Sequence, residues 1–201
     1  MWDKLSNWER YIHEEEEIDP LIKPAVMRYQ FEAIHPFIDG NRRTGRVLNL
    51  LYLVDRGLLD IPVLYLSRYI IGNKRTNYDC PLTMTKDSAW EDWIPYMLEA
   101  IRETADWSTA RIRSVRDLLD QAEERIRRHL QKIYSRELAE VIFVNPYCRI
   151  GELVAARIAK RQASSVYLKS LAKFGLLQGI RAGRGNLCTN PSLLILLSDR
   201  P

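Results

Sequence analysis

The chain has 201 residues, of which 46% are hydrophobic and 28% charged, a composition typical of a globular protein with one large or two small domains. No apolar run approaches the roughly 20 residues that a membrane-spanning helix needs, and the first residues lack the basic start and apolar stretch of a signal peptide. We therefore expect a cytoplasmic protein with no membrane partner. The three cysteines are widely spaced and form no CxxC pair, so the sequence indicates neither a disulfide framework nor a zinc site.

Charge is distributed unevenly along the chain. Residues 1–120 contain 16 basic and 20 acidic residues, whereas residues 121–201 contain 14 basic and 6 acidic residues. A basic C-terminal part makes DNA a candidate partner, and a solvated basic face is the simpler alternative.

Helical patterns dominate the first half of the chain. Asp19 and Pro20 predict a helix start, and Pro36 disfavours helical geometry at His35, so the helix is expected to end there. A second helix is predicted over residues 42–56, closed by Gly57. Further helices are predicted within residues 63–79 and 89–112.

The pattern changes after residue 140. A short helix, a turn, a longer amphipathic helix and two short strands around a glycine-rich tip predict a winged helix-turn-helix. In the longer helix the predicted buried residues are Val166, Leu168, Leu171 and Phe174, and the predicted exposed residues are Arg161, Gln162, Ser165 and Lys169. The predicted fold is mainly α, with a helical bundle at 1–113 and the winged-helix domain at 114–201.

The loop between the first two long helices carries a dense set of polar residues. His35 ends one helix, Asp39 and Gly40 lie in the turn, and Asn41 begins the next helix. Backbone N–H groups at a helix start lack intrahelical acceptors and form an anion cradle. A surface cluster without function is the alternative for any one of these residues, but together they predict a site.

The side chains around this cradle suit a nucleotide. Arg43 and Arg46 lie three positions apart, on one side of the second helix, and would supply two cations to a polyphosphate. Asp39 is a hard carboxylate of the kind that binds Mg²⁺ together with phosphate oxygens. His35 is the nearby group able to accept a proton at neutral pH.

The segment HPFIDGNRRTGR resembles the signature HxFx(D/E)GNGRxxR of the Fic family. It matches at His35, Phe37, Asp39, Gly40, Asn41, Arg43 and Arg46. It departs at Arg42, where the family usually has Gly. The resemblance continues through GLLDIPVLYLSRYIIGNK, WEDWIPYMLEAI and a C-terminal segment similar to the winged-helix module of many bacterial Fic proteins, so it covers nearly the whole chain.

The resemblance implies a protein adenylyltransferase, which transfers AMP from ATP to a Ser, Thr or Tyr hydroxyl of a target protein. His35 would be the general base, Asp39 the Mg²⁺ ligand and Phe37 a core anchor. The α- and β-phosphates would contact Gly40, Asn41 and the amide of Arg42, and the distal phosphates would contact Arg43 and Arg46. Asn73 and Tyr78 are candidates for the adenine end, with ordinary loop residues as the alternative.

Two family features are missing from the sequence. The inhibitory motif (S/T)xxxE(G/N) is absent, and the target-positioning hairpin is absent or reduced, so we expect a chain truncated at its N-terminus.

Other functions remain open at this point. Doc-type relatives carry Lys at the position of Arg42 and transfer the γ-phosphate, which makes a protein kinase the first alternative. A DNA-binding regulator with a nucleotide-sensing or silent Fic core is the second, using Arg181 and Arg184 at the wing tip. A second copy of the chain is a further candidate partner. We expect Arg42 to lie in ordinary helical geometry.

Overall fold

The computed structural model describes residues 1–14, 17–72, 90–182 and 185–198. Two compact units are present, an N-terminal unit at Met1–Thr109 and a C-terminal unit at Ala110–Pro201. The mainly α fold predicted from the sequence is confirmed. The predicted domain boundary, between residues 113 and 114, stays a prediction, because one continuous helix runs through this region. No helix among the described residues is long and apolar enough to cross a membrane.

Helices form the described part of the N-terminal unit. They are α1 (Trp2–Glu14), α2 (Lys23–Ile34), α3 (Asn41–Asp55), α4 (Leu66–Gly72) and the first part of α5 (Trp90–His129). The α3 terminus follows the predicted pattern, because Gly57 has a φ of 68° and its N–H donates to the Val54 carbonyl at 3.0 Å. Within the described residues, the helix predicted at 63–79 corresponds to α4. The helix predicted at 89–112 corresponds to the longer α5.

The start of α2 differs from the prediction. The helix begins at Lys23 with Ile22 as its N-cap, four residues after Asp19. Asp19 instead organises a turn, since its carboxylate accepts a hydrogen bond from the Leu21 N–H at 2.7 Å and its carbonyl accepts from Ile22 and Lys23. Pro24 falls in the first helical turn, where a missing N–H costs little.

Two tryptophans hold α2 in the core of the N-terminal unit. The indole N–H of Trp93 donates to the Ala25 carbonyl at 2.8 Å, and that of Trp8 donates to the Met27 carbonyl at 2.9 Å. Trp93 is buried in a cluster with Ala25, Tyr96 and Met97. Packing from α1 and α5 therefore fixes the helix that ends at the candidate site.

The C-terminal unit combines helices with a small sheet. Beyond α5 it contains α6 (Arg136–Val144), β1 (Tyr147–Cys148), α7 (Ile150–Ala155), α8 (Arg161–Lys173), β2 (Gln178–Ala182), β3 (Gly185–Thr189) and α9 (Pro191–Ser198). The strands are antiparallel in the order β1–β3–β2, with Cys148 opposite Cys188 and Ile180 opposite Leu187. The predicted sequence of short helix, longer helix and two strands is found.

The buried face of α8 was predicted only in part. Leu168 and Leu171 are buried in the core of this unit, as predicted. Val166 is 57% exposed, which contradicts the prediction, because it lies about 200° around the helix from Leu168. Phe174 is half-buried rather than fully buried, and its ring lies 5.3 Å from that of His129.

Candidate functional site

His35 caps the C-terminus of α2 in a strained backbone conformation. Its φ and ψ are 51° and 58°, in the left-handed region, and its N–H donates to the Phe31 carbonyl at 3.1 Å. This conformation costs a residue with a Cβ roughly 1–2 kcal/mol. The helix therefore ends at His35, as Pro36 predicted, and the exposed imidazole stands at the start of the loop.

The loop after His35 is closed by the side chain of Asn41. Its Oδ1 accepts a hydrogen bond from the Phe37 N–H at 3.0 Å, and its Nδ2 donates to the Phe37 carbonyl at 2.6 Å. Asn41 is only 4% exposed. Its amide side chain is therefore committed to the loop, and the group it can offer to a phosphate is its backbone N–H.

The N-terminus of α3 is a cradle built on Gly40. Gly40 is the N-cap with a φ of 86°, and no side chain caps the helix there. The first N–H groups of α3 therefore have no intrahelical acceptor, as at any uncapped helix start. A side chain at this φ would be strained. The Asp39 carboxylate lies at the same turn, where Oδ1 accepts from the Gly40 N–H at 2.6 Å.

The three arginines of α3 differ in their surroundings. Arg43 is exposed, and its Nη2 lies 3.3 Å from Asp39 Oδ2. Arg46 is partly buried, and this burial lowers the pKa of its guanidinium. The positive charge of Arg28 lowers that pKa further, whereas the negative charge of Glu32 raises it. Arg42 has helical geometry, as predicted.

Two charged residues of α2 join this site, although the sequence did not single them out. Arg28 is 2% exposed, its Nε lies 3.0 Å from Glu32 Oε1, and its guanidinium lies over the Trp93 ring. Glu32 Oε2 also lies 3.7 Å from Arg42 Nε. The signal available in the sequence was the spacing of Arg28 and Glu32, one helical turn apart.

Some expectations for the site fail or lie outside the described residues. Phe37 was expected to anchor the core, but half of its surface is exposed and its ring contacts Phe31 at 6.2 Å between centroids, because the turn carries it to the surface. Asn73 and Tyr78 lie outside the described residues.

The assembled residues can serve the chemistry of a bound nucleotide. The twelve residues 35–46 contain an exposed imidazole, an open helix N-terminus, an exposed carboxylate and the two arginines Arg43 and Arg46. Asn41 fixes the loop among them. Fixed cations and amides stabilise phosphate charge, and an imidazole can accept a proton from an attacking hydroxyl.

Comparison with curated proteins finds several adenylyltransferases. A probable protein adenylyltransferase of Aquifex aeolicus, aq_aa38, is 42% identical over 66 residues, which are 33% of this chain and 20% of that protein. The protein adenylyltransferase Fic of Drosophila willistoni is 26% identical over 127 residues, or 62% of this chain and 24% of that protein. The chain thus spans about a fifth to a quarter of the length of these relatives.

Comparison with solved structures supports the fold. A Fic family protein from Desulfovibrio desulfuricans G20 matches with a TM-score of 0.51 and 16% identity, covering 93% of this chain and 54% of that one.

Two family models match separate parts of the chain. Residues 1–53, which include the loop and most of α3, match the Fic/DOC family. Residues 118–193 match the C-terminal domain of SoFic-like protein adenylyltransferases. The loop at His35 lies within the first of these segments, and over that segment the chain is similar to the Fic/DOC family.

Proposed function

We propose that the chain is a protein adenylyltransferase that transfers AMP from ATP to a Ser, Thr or Tyr hydroxyl of a target protein. The observation that carries this proposal is the exposed, strained His35 beside the open N-terminus of α3. The names of the curated relatives support the same activity.

His35 supplies the proton acceptor in this reaction. The imidazole takes the proton of the target hydroxyl, the hydroxyl oxygen attacks the α-phosphorus, and the bond from that phosphorus to the bridging oxygen of pyrophosphate breaks. The N–H groups at the start of α3 bind the phosphate oxygens, and Arg43 and Arg46 bind the distal phosphates. Asn41 acts indirectly, because its side chain shapes the loop.

Asp39 fits a role in binding Mg²⁺. Its side chain is 90% exposed and lies at the cradle, while no group of three His, Cys, Asp or Glu side chains within the described ranges could hold a metal alone. A single carboxylate suits an ion that completes its shell with phosphate oxygens and water. When bound, Mg²⁺ would neutralise charge on the triphosphate, and the carboxylate of Asp39 would hold the ion.

The γ-phosphate is the alternative group for transfer, because Arg42 replaces the Gly of the signature. Its ion pair with Glu32 favours AMP transfer, since it directs the extra cation towards α2 rather than towards Asp39. Parallel reactions with α-labelled and γ-labelled ATP decide the question. Protein-bound label from the α-phosphate supports adenylylation, and label from the γ-phosphate alone would make the chain a kinase.

The C-terminal unit is proposed to be a winged helix-turn-helix module. The strand order and the position of α8 before β2 support this assignment. DNA is its candidate partner, since Arg161, Gln162 and Lys169 are exposed on α8. The side chains of Arg181 and Arg184 lie outside the described residues. A DNA-binding regulator with a silent or nucleotide-sensing Fic core would bind DNA without transferring label. The cytoplasmic location and a homodimer stay predictions.

A further inference from the structure

Glu32 occupies the interface between α2 and α3, one turn before His35. Its side chain is 18% exposed, and its two oxygens contact different arginines. Oε1 lies 3.0 Å from Nε of the buried Arg28, and Oε2 lies 3.7 Å from Nε of Arg42. One carboxylate therefore links a core arginine to the arginine that distinguishes this chain from the family signature.

Arg28 keeps Glu32 in place. Arg28 is buried against Trp93, and its Nη1 contacts the Met97 sulfur at 3.8 Å. A buried guanidinium requires a counter-charge, so the carboxylate of Glu32 cannot leave without a large penalty. Glu32 is therefore a fixed anion, in contrast to a surface glutamate that changes partners freely.

The neighbouring residues Arg42 and Arg43 are held by different carboxylates. Arg43 pairs with Asp39 at the cradle, whereas Arg42 pairs with Glu32 on α2. Arg42 lies in the first turn of α3, where a released guanidinium could reach a bound phosphate. A third cation at that point would shift the triphosphate, and a shift of about 1 Å from an aligned geometry can cost roughly 10²-fold in rate.

We propose that Glu32 is a positioning residue that holds Arg42 away from the phosphate cradle, so that Arg43 and Arg46 alone set the position of the triphosphate. This inference rests on the proposed function, since it assumes that the cradle binds a nucleotide. It explains how the chain accommodates an arginine where the family signature has glycine.

A double-mutant cycle tests the inference through binding. Wild type, Glu32→Gln, Arg42→Ala and the double variant are titrated with α,β-methylene-ATP and Mg²⁺ by calorimetry. We expect Glu32→Gln to tighten binding about threefold to tenfold when Arg42 is present, because the released arginine gains a phosphate contact. In the Arg42→Ala background the same change should alter affinity by less than about twofold.

Equal tightening in both backgrounds would overturn the inference, because removing any nearby negative charge would then explain it. Weaker binding in Glu32→Gln would overturn it as well. If Glu32→Gln does not fold, Glu32→Asp is used in the same cycle, since it retains a charge for Arg28 but shortens the reach to Arg42. Glu99→Gln is the matched control: Glu99 pairs with Arg102 at 2.8 Å in the same unit, and its loss should leave affinity unchanged.

Transfer of the α-label is measured separately on the same four proteins. Glu32→Gln should lower the transfer rate about tenfold, and Arg42→Ala in the double variant should restore it. A wild type without α-label would refute the proposed function, while the binding cycle would still decide the role of Glu32. If the wild type transfers the α-label but the cycle shows no coupling between Glu32 and Arg42, only the proposed role of Glu32 is refuted.

Discussion

The loop at residues 35–46 and helix α8 both present arginine or lysine side chains, but they hold them differently. Arg43 is paired with Asp39 at the cradle, Arg46 is partly buried, and the loop beside them is closed by Asn41. On α8, Arg161 and Lys169 are exposed and form no ion pair with another described residue. Fixed cations suit one ligand in one geometry, whereas unrestrained cations suit diffuse attraction to a polyanion.

The largest expected effect concerns His35. His35→Ala should reduce AMP transfer roughly 10²- to 10⁴-fold and leave ATP binding nearly intact, because a general base acts in the chemical step and the cradle remains. Rates come from α-labelled ATP and affinities from calorimetry. His13→Ala, an exposed histidine of α1, is the control and should transfer normally. Full activity of His35→Ala would remove the base from the proposed mechanism.

The second prediction tests the metal role of Asp39. Asp39→Ala should abolish the Mg²⁺ dependence of ATP affinity and weaken the metal-bound complex about 10- to 100-fold, since the carboxylate at the cradle is lost. Calorimetry with and without Mg²⁺ measures both values. Asp55→Ala changes an exposed carboxylate at the other end of α3 and should keep the dependence. A Mg²⁺ effect that survives in Asp39→Ala would assign the ion to another ligand.

The third prediction separates loop shape from overall stability. Asn41→Ala should weaken ATP binding about tenfold, because two hydrogen bonds of about 1 kcal/mol each hold the loop. Asn49→Ala is the contrast, since Asn49 is buried in the same helix and donates to the Pro24 carbonyl at 3.0 Å. It should lower the unfolding temperature without a selective loss of ATP affinity. Identical behaviour of the two variants would mean that Asn41 supports only the fold.

The smallest expected effect concerns the unrestrained cations of α8. Lys169→Gln should weaken binding of the full chain to duplex DNA uniformly across sequences and reduce the slope of log affinity against log salt by about one. Fluorescence anisotropy between about 50 and 200 mM salt gives the slope. Lys132→Gln, an exposed lysine outside α8, should have no effect. Sequence-selective binding that tolerates salt would instead favour the regulator over the enzyme.

Local signals explain which elements could be predicted. Proline, glycine and the loop residues determine where α2 ends and α3 begins, so the sequence located that loop. The start of α2 was missed because the carboxylate of Asp19 accepts a hydrogen bond within a turn. An aspartate in such a turn and an aspartate that caps a helix have the same sequence pattern. Val166 was misplaced because Val166, Tyr167 and Leu168 are consecutive, and such a run does not reveal which of its side chains the helix turns inward.

In the candidate site, too, the residues with a local sequence signal could be predicted and those without one could not. His35, Asp39 and the arginines of α3 are close in the chain, so their proximity could be read directly. Arg28 and Glu32 resembled an ordinary surface pair, because burial of Arg28 depends on Trp93 and Met97, which lie more than 60 positions away. Long-range packing of this kind leaves no local pattern in the sequence.

The left-handed backbone at His35 implies a trade-off between the stability of the N-terminal unit and its activity. Asparagine tolerates this conformation better than histidine, so His35→Asn should stabilise the N-terminal unit by roughly 0.5–1 kcal/mol while abolishing transfer. Thermal unfolding of the two proteins measures the gain. A gain in stability together with a loss of transfer would show that the imidazole of His35 contributes to the reaction at the expense of the fold.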